Sequence, residues 1–285
     1  MPGTTFLPIA GPLGTAIAVF IGGGFAIIFG ICYRFLLEKD NEGKTEYLFT
    51  RDLFGHDHSF LVSWAMVLAY ISLIWANATA FILIGRFLIP SSFIQWGFCY
   101  QVAGYDIYLS EIIITVVILV VYGFIACRDG KVIKTIYSLM AAFVLVSAVY
   151  LFIAAFFSSG SILDFSPAFS DSYPVPVQIL NIVILTPWAF VGFESIMQTR
   201  ETHTLPAKTV FRIMAFAIIA GALVYTLYNL TSIIAIPPEY PDWISYIGNY
   251  SDTMNAKDFP LYYSINTALG NTGKTILAVS MFATL

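Results

Sequence analysis

The sequence predicts an all-α, polytopic membrane protein, and two observations predict it. Of 285 residues, 59% are hydrophobic and only 11% charged, against roughly a quarter charged in an ordinary soluble domain. With a mean hydropathy of +0.82, the chain lacks the polar side chains that a water-facing exterior requires. The apolar residues also arrive in blocks long enough to cross a bilayer, which takes about 20 helical residues at a rise of 1.5 Å each. The net charge of −4 comes with no basic stripe and no aromatic platform flanked by Arg and Lys, which argues against nucleic acid as a partner.

The first block, residues 10–37, carries Gly22, Ala26 and Gly30 at four-residue spacing, a small-residue stripe that lets a neighbouring helix approach closely. No Lys or Arg precedes it and it is too long for a signal peptide. A polar stretch, 38–58, follows. The next spans are 60–89, 107–126 and 132–157. The fifth, 175–197, is interrupted, and the sixth, 213–236, has no charge. Pro237, Pro238 and Pro241 then stop the helix. Residues 259–270 alternate apolar and polar side chains and read as a short surface helix closed by Gly270, lying across the bundle mouth or serving as a plain connector. The last run, 276–285, ends after ten residues, about half the hydrocarbon thickness. The expectation is one transmembrane domain over 1–285, incomplete, as a segment of a longer bundle.

Loop charge orients these spans. Ten of the 13 basic residues fall in or beside the first, third and fifth loops, from Arg34 through Lys134 to Arg212, whereas loops 90–106 and 158–174 contain none. Orientation follows Lys and Arg rather than net charge, so the basic side is cytoplasmic and the N-terminus is outside the cell membrane. Cys32, Cys99 and Cys127 have no metal or redox spacing and are expected as small buried hydrophobes. The triplets at Asn77, Asn229 and Asn249 that fit a glycosylation pattern arise often by chance and carry no weight.

The chemistry concentrates in the fifth span, Leu185-Thr186-Pro187-Trp188-Ala189-Phe190-Val191-Gly192-Phe193-Glu194-Ser195. Pro187 removes a helical hydrogen bond and Gly192 weakens the helix further. Backbone groups freed in a membrane must be met by protein, water or ligand, and half-helix ends offer N–H groups to anions and carbonyls to cations. Taken alone, the two residues favour a simple proline kink. Glu194 shifts the balance, because a carboxylate inside a hydrophobic segment is costly to ionise and faces a cavity, a partner or a proton path. Its bland alternative is a snorkelling or hydrogen-bonded structural role. Glu111, one turn into the third span, reads as structural. Asn77, mid-way along the second span beside Ala76, reads by default as an interhelical hydrogen bonder worth about 1 kcal/mol; a substrate contact is the sharper reading, and the two coexist.

These residues resemble the amino acid–polyamine–organocation transporters. Trp188 to Ser195, followed by Glu201 and Leu205-Pro206-Ala207, is similar to that family's unwound sixth helix and the loop after it. Ala10-Gly11-Pro12, Gly43-Lys44-Thr45-Glu46-Tyr47 and Leu53-Phe54-Gly55 resemble its second helix and the connection to its third. The resemblance implies a partial LeuT-like bundle from a five-plus-five inverted repeat, here family helices two to seven and the start of eight. It implies that Trp188 and Phe190 border the substrate and that Val191 and Gly192 present backbone atoms to its amino or carboxylate group. Glu194 would gate or sense protons, and Asn77 with Ala76 would touch substrate. The lysine that some relatives carry within the fifth helix has no counterpart between Ile136 and Phe157.

The function so implied is secondary transport of amino acids, as permease or antiporter, with an amino acid substrate, the lipid bilayer, and a proton or exchanged amino acid or amine as partners. No cofactor and no metal site is expected. A seven-helix receptor is the alternative from another class; a retinal protein needs a buried Lys in a late helix, and neither 213–236 nor 276–285 has one. A non-transporting remnant is a third. An enzyme is disfavoured because His56, His58 and His203 all lie in loops, apart from any embedded catalytic constellation.

Overall fold

The computed structural model describes residues 2–39, 44–89, 91–102, 105–127, 130–159, 166–171, 173–198, 205–253 and 259–284. Gly43, Glu201 and His203, together with the loop cations Arg128, Arg200 and Lys257, lie outside the described residues. Five helices are long and apolar enough to cross a membrane: α1 (Pro2–Lys39), α3 (His56–Leu88), α5 (Leu109–Ala126), α6 (Gly130–Ser159) and α9 (Ala207–Thr231). A shorter apolar helix, α7 (Val175–Ala189), precedes the interruption and the single turn α8 (Ser195–Gln198) follows it. The remaining helices are α2 (Glu46–Phe54), α4 (Ser91–Ile94), α10 (Trp243–Thr253) and α11 (Pro260–Thr284).

Helix α1 starts earlier than expected because it absorbs a kink. Gly11 takes φ 70° and ψ −179° within it, a conformation open to glycine and costly for other L-residues. Pro12 follows with no N–H to donate. The kink is held from outside, since the Leu13 N–H donates to the Ala168 carbonyl at 3.1 Å. A Cβ on Gly11 would lie 2.8 Å from the same oxygen. Beyond the kink the small stripe works as anticipated. A Cβ on Gly22 would fall 2.0 Å from Thr186 Oγ1, so α1 and α7 are in backbone-close contact there.

Four apolar clusters hold the bundle. The central one joins Ala18, Val19 and Ala26 of α1 to Ile182 of α7, Ile218 and Ala222 of α9, and Phe190. A second packs α6, α9 and α11 through Leu151, Tyr228, Ile265 and Leu277. Within it, Ser147 Oγ donates to Ser280 Oγ at 2.8 Å, and the Tyr228 hydroxyl is 2.5 Å from the same atom. This chain of hydroxyls satisfies polar groups that would be expensive to bury alone. The other two clusters close the ends: Leu7, Ile233, Trp243, Tyr246 and Ile247 at the α10 end, and Leu37, Val210 and Met214, with Phe49 and Phe193 beside them, at the α2 end.

Several expectations need amending. The tract 38–58, read as a polar stretch, contains α2, with Phe49 packed against the α2-end cluster. The loop after the second span holds a two-stranded antiparallel hairpin, β1 (Cys99–Val102) and β2 (Tyr105–Tyr108). The run of prolines is followed by α10, whose start is capped by Asp242: its carboxylate accepts from the Ser245 N–H at 2.8 Å. The surface helix and the last apolar run form α11, interrupted at Gly270 (φ 59°), so the second piece begins earlier than residue 276. All three cysteines are exposed, contrary to the buried reading. A lipid-facing position on a membrane helix is as apolar in its surroundings as a core, so apolar residue type alone does not separate the two.

Glu111 is structural, as its position implied. It is 2% exposed and binds Arg86 through both oxygens, Nε to Oε1 at 2.6 Å and a terminal nitrogen to Oε2 at 2.7 Å. It also accepts from the Tyr108 N–H at 3.0 Å.

Candidate functional site

The fifth span is broken where the sequence placed the break. Helix α7 ends at Ala189, residues 190–194 form turns, and α8 begins at Ser195. The cause is visible atom by atom. Pro187 offers no N–H to the Val183 carbonyl four residues back, and the Thr186 hydroxyl takes that place, donating to Val183 O at 2.7 Å. The chain survives Pro187 by this substitution and fails at Gly192. There φ is +106°, and a Cβ would meet no atom within 4 Å, so what reserves the position for glycine is backbone conformation rather than space.

Backbone groups around the break are partly re-satisfied from within. The Phe190 N–H still reaches Thr186 O at 3.2 Å, and the Ser195 N–H reaches Gly192 O at 3.1 Å. Glu194 turns back on the break, its Oε2 accepting from the Gly192 N–H at 2.9 Å. The carboxylate thus caps a backbone group that the interruption has freed.

Glu194 and Val191 also line a cavity of about 270 Å³ at the α2 end of the molecule. Its opposite wall is α3, through Val62, Met66, Ala69, Tyr70 and Leu73; Tyr33 of α1 and Glu46 of α2 complete it. The five α3 residues recur at helical spacing, so one face of that helix looks onto the break. Two carboxylates therefore face a mostly apolar space, and no Lys, Arg or His is among its lining residues. Glu46 Oε1 is buried with no hydrogen-bond partner among the described residues, and the Tyr70 hydroxyl interacts with the Glu194 carboxylate. Burial lifts the Glu46 carboxyl above its ordinary range; a backbone hydrogen bond pulls it down, and the Glu194 charge adds to the rise.

The other expected site residues lie around this centre at different depths. Phe190 is 7% exposed and sits in the central cluster, near the Cβ positions of Gly23 and Gly221. It anchors the start of the break and presents no face to the cavity. Trp188 is 61% exposed and Val191 41%, so the final turn of α7 and the break are open on one side. Ala76 and Asn77 stand three and four residues beyond Leu73, continuing its helix face one turn further; Asn77 is exposed and Ala76 half-buried. Neither lines the described cavity.

Glu46, Tyr33 and Tyr70 were missed. Tyr33 and Tyr70 had no individual signal among 17 tyrosines. Glu46 had one: Thr45 before a run with Leu48, Phe49 and Leu53, closed by Gly55 (φ 88°), has the punctuation of a short helix.

The family model described as amino acid permease matches residues 2–279. No curated protein matches the chain.

Proposed function

The chain belongs to the amino acid permease family, whose members transport amino acids across membranes, and from that premise we propose that it is a secondary transporter using the α7–α8 break as its substrate site. The observation that carries this reading is the interruption at residues 190–194, two of whose residues, Val191 and Glu194, line a cavity. A family of permeases moves substrate by conformational exchange, without covalent chemistry, and the chain is not read as an enzyme.

In this reading the substrate's charged ends are met by main chain. The last turn of α7 offers carbonyls to an ammonium, and the Gly192 N–H, held by Glu194 in the form described, is offered to a carboxylate once that tie is released. Trp188, exposed on the final turn of α7, covers the substrate. Asn77 and Ala76 contact it from the facing helix α3, one turn above the cavity, and Phe190 holds the break in register from the core. Glu194 is the proton-responsive gate: its carboxylate is tied to the Gly192 N–H in the form described, and protonation weakens that tie and changes the break's geometry. Loop charge supports a cytoplasmic α2 end and an outside N-terminus.

The test is binding and uptake. Labelled amino acids are presented to the purified chain, and then to the chain in liposomes, across a range of pH. Binding that competes with unlabelled amino acid and changes its pH dependence in Glu194→Gln supports the reading. No amino acid binding overturns it, and an unchanged pH profile in Glu194→Gln removes Glu194 from the mechanism.

A further inference from the structure

Two carboxylates share one apolar cavity, and among the described residues no Lys, Arg or His lines it. Each element packed around the cavity contributes one titratable group: Tyr33 from α1, Glu46 from α2, Tyr70 from α3 and Glu194 from the break. The nearby cations are turned elsewhere. Lys44 pairs with Asp52 at 2.9 Å, Arg51 lies over the Tyr47 ring and 3.6 Å from Asp52, and Arg34 pairs with Glu38 at 2.7 Å. Burial first, and then the Glu194 charge that faces it, disfavour the ionised form of Glu46. The buried, unpartnered Glu46 Oε1 is an independent sign that a hydrogen-bonding species is wanted there.

We propose that Glu46 and Glu194 together form a proton-binding site, holding a single proton between them while α2 is packed against the helix break. The proton comes from water and returns to it: one carboxylate oxygen gains the proton, one negative charge is removed, and an O–H donor is placed among acceptors. The proposal rests on the reading of Glu194 as a proton-responsive group and adds Glu46 as the partner that sets its response. While the proton is held α2 stays docked; as pH rises and the proton leaves, the two carboxylates repel, and the α2 side of the cavity opens.

Infrared difference spectroscopy during a pH titration of the full chain in liposomes tests the proton directly. The expected result is a protonated-carboxyl C=O band that survives to neutral pH and is lost in Glu46→Gln and, separately, in Glu194→Gln. Asp52→Asn, which removes a carboxylate of the same helix paired with Lys44, leaves the band in place. If one glutamine variant does not fold, the other decides. Absence of the band in the wild type, or its survival in a folded glutamine variant, overturns the proposal.

The opening is read by a cysteine at Leu73, with Cys32, Cys99 and Cys127 replaced by Ser. Its labelling by a hydrophilic maleimide, divided at each pH by that of a free thiol to remove the thiolate's own dependence, rises with pH by up to ~tenfold per unit, the limit for one proton, and this ratio becomes pH-independent in Glu46→Gln. A slope unchanged by that substitution also overturns the proposal. Neither readout needs transport. A band without amino acid binding rejects the transport reading alone, and binding without a band rejects the shared proton alone.

Discussion

Replacing Gly22 with alanine tests how tightly the break is pinned to the rest of the bundle. The new Cβ would sit 2.0 Å from Thr186 Oγ1, 2.4 Å from its Cβ and 2.6 Å from its Cγ2. Rotating Thr186 moves the hydroxyl and the methyl but leaves its Cβ where it is, so the two helices must part. Overpacking of this kind costs about 1–3 kcal/mol. Moving the hydroxyl also breaks its hydrogen bond to Val183 O, the acceptor that Pro187 leaves unserved, at a further cost of about 1 kcal/mol. The gain in helix propensity from Gly to Ala, about 1 kcal/mol, offsets part of this, and the expected net loss is about 1–3 kcal/mol.

The measurement is unfolding in mixed micelles, with Gly24→Ala as the internal comparison. Gly24 lies two residues away on the same helix, and a Cβ there meets nothing within 4 Å; its replacement should be neutral or stabilising by up to ~1 kcal/mol. In a Thr186→Gly background the obstructing Cβ is gone, and Gly22→Ala should lose most of its cost, an interaction energy of about 1–2 kcal/mol. If Gly22→Ala behaves like Gly24→Ala, or costs the same with and without the Thr186 side chain, the close approach of α1 and α7 is not what positions the break.

Three further outcomes follow from the same geometry. Gly192→Ala meets no steric neighbour but must hold φ near +106°; about 1–3 kcal/mol of strain should reshape the break, weakening amino acid binding in the same assay more than it lowers unfolding stability. Arg86→Met leaves Glu111 buried with its bidentate partner gone and should destabilise by about 3 kcal/mol; adding Glu111→Gln should recover a large part, so a double mutant no better than Arg86→Met refutes the pairing account. The Asp242 carboxyl is held below the usual carboxylate range by hydrogen bonds from Ser245. Its capping contribution is therefore complete above the ordinary Asp value and lost only as pH falls through the lowered one. Protection of the amides at residues 243–247, taken relative to free-peptide exchange at the same pH, should fall only in that acid window, and should already be lowered above it in Asp242→Ala.

What the sequence makes legible here is what carries a local penalty. Pro187 and Gly192 each cost helix energy where they stand, so the interruption could be read from a single stretch and was found between Ala189 and Ser195. Gly22 belongs to the same class, since a small residue repeated at four-residue spacing is a statement about a close neighbour. Glu111 was legible as structural from its place one turn into a span, although its partner Arg86 lies 25 residues earlier and no spacing rule points to it. The exposed cysteines show the converse. Membrane exposure and core burial both favour apolar types, so a periodic apolar helix such as α3 does not reveal which face meets lipid.

Glu46 marks where that kind of legibility ends, and the reason is physical. It lies outside the spanning segments, in a charged tract where a carboxylate incurs no evident cost, and it is neighboured in sequence by cations that would ordinarily neutralise it. Only the fold shows that Lys44 and Arg51 turn to Asp52 while Glu46 turns inward to a space shared with Glu194. The energetic tension is therefore tertiary: it exists between α2 and a turn nearly 150 residues later and in neither segment alone. A tension of that kind, unlike a misplaced proline, can be relieved by moving one element away from the other. That makes the docking of α2 an event a proton can control, whereas the break follows from Pro187 and Gly192 in the covalent chain.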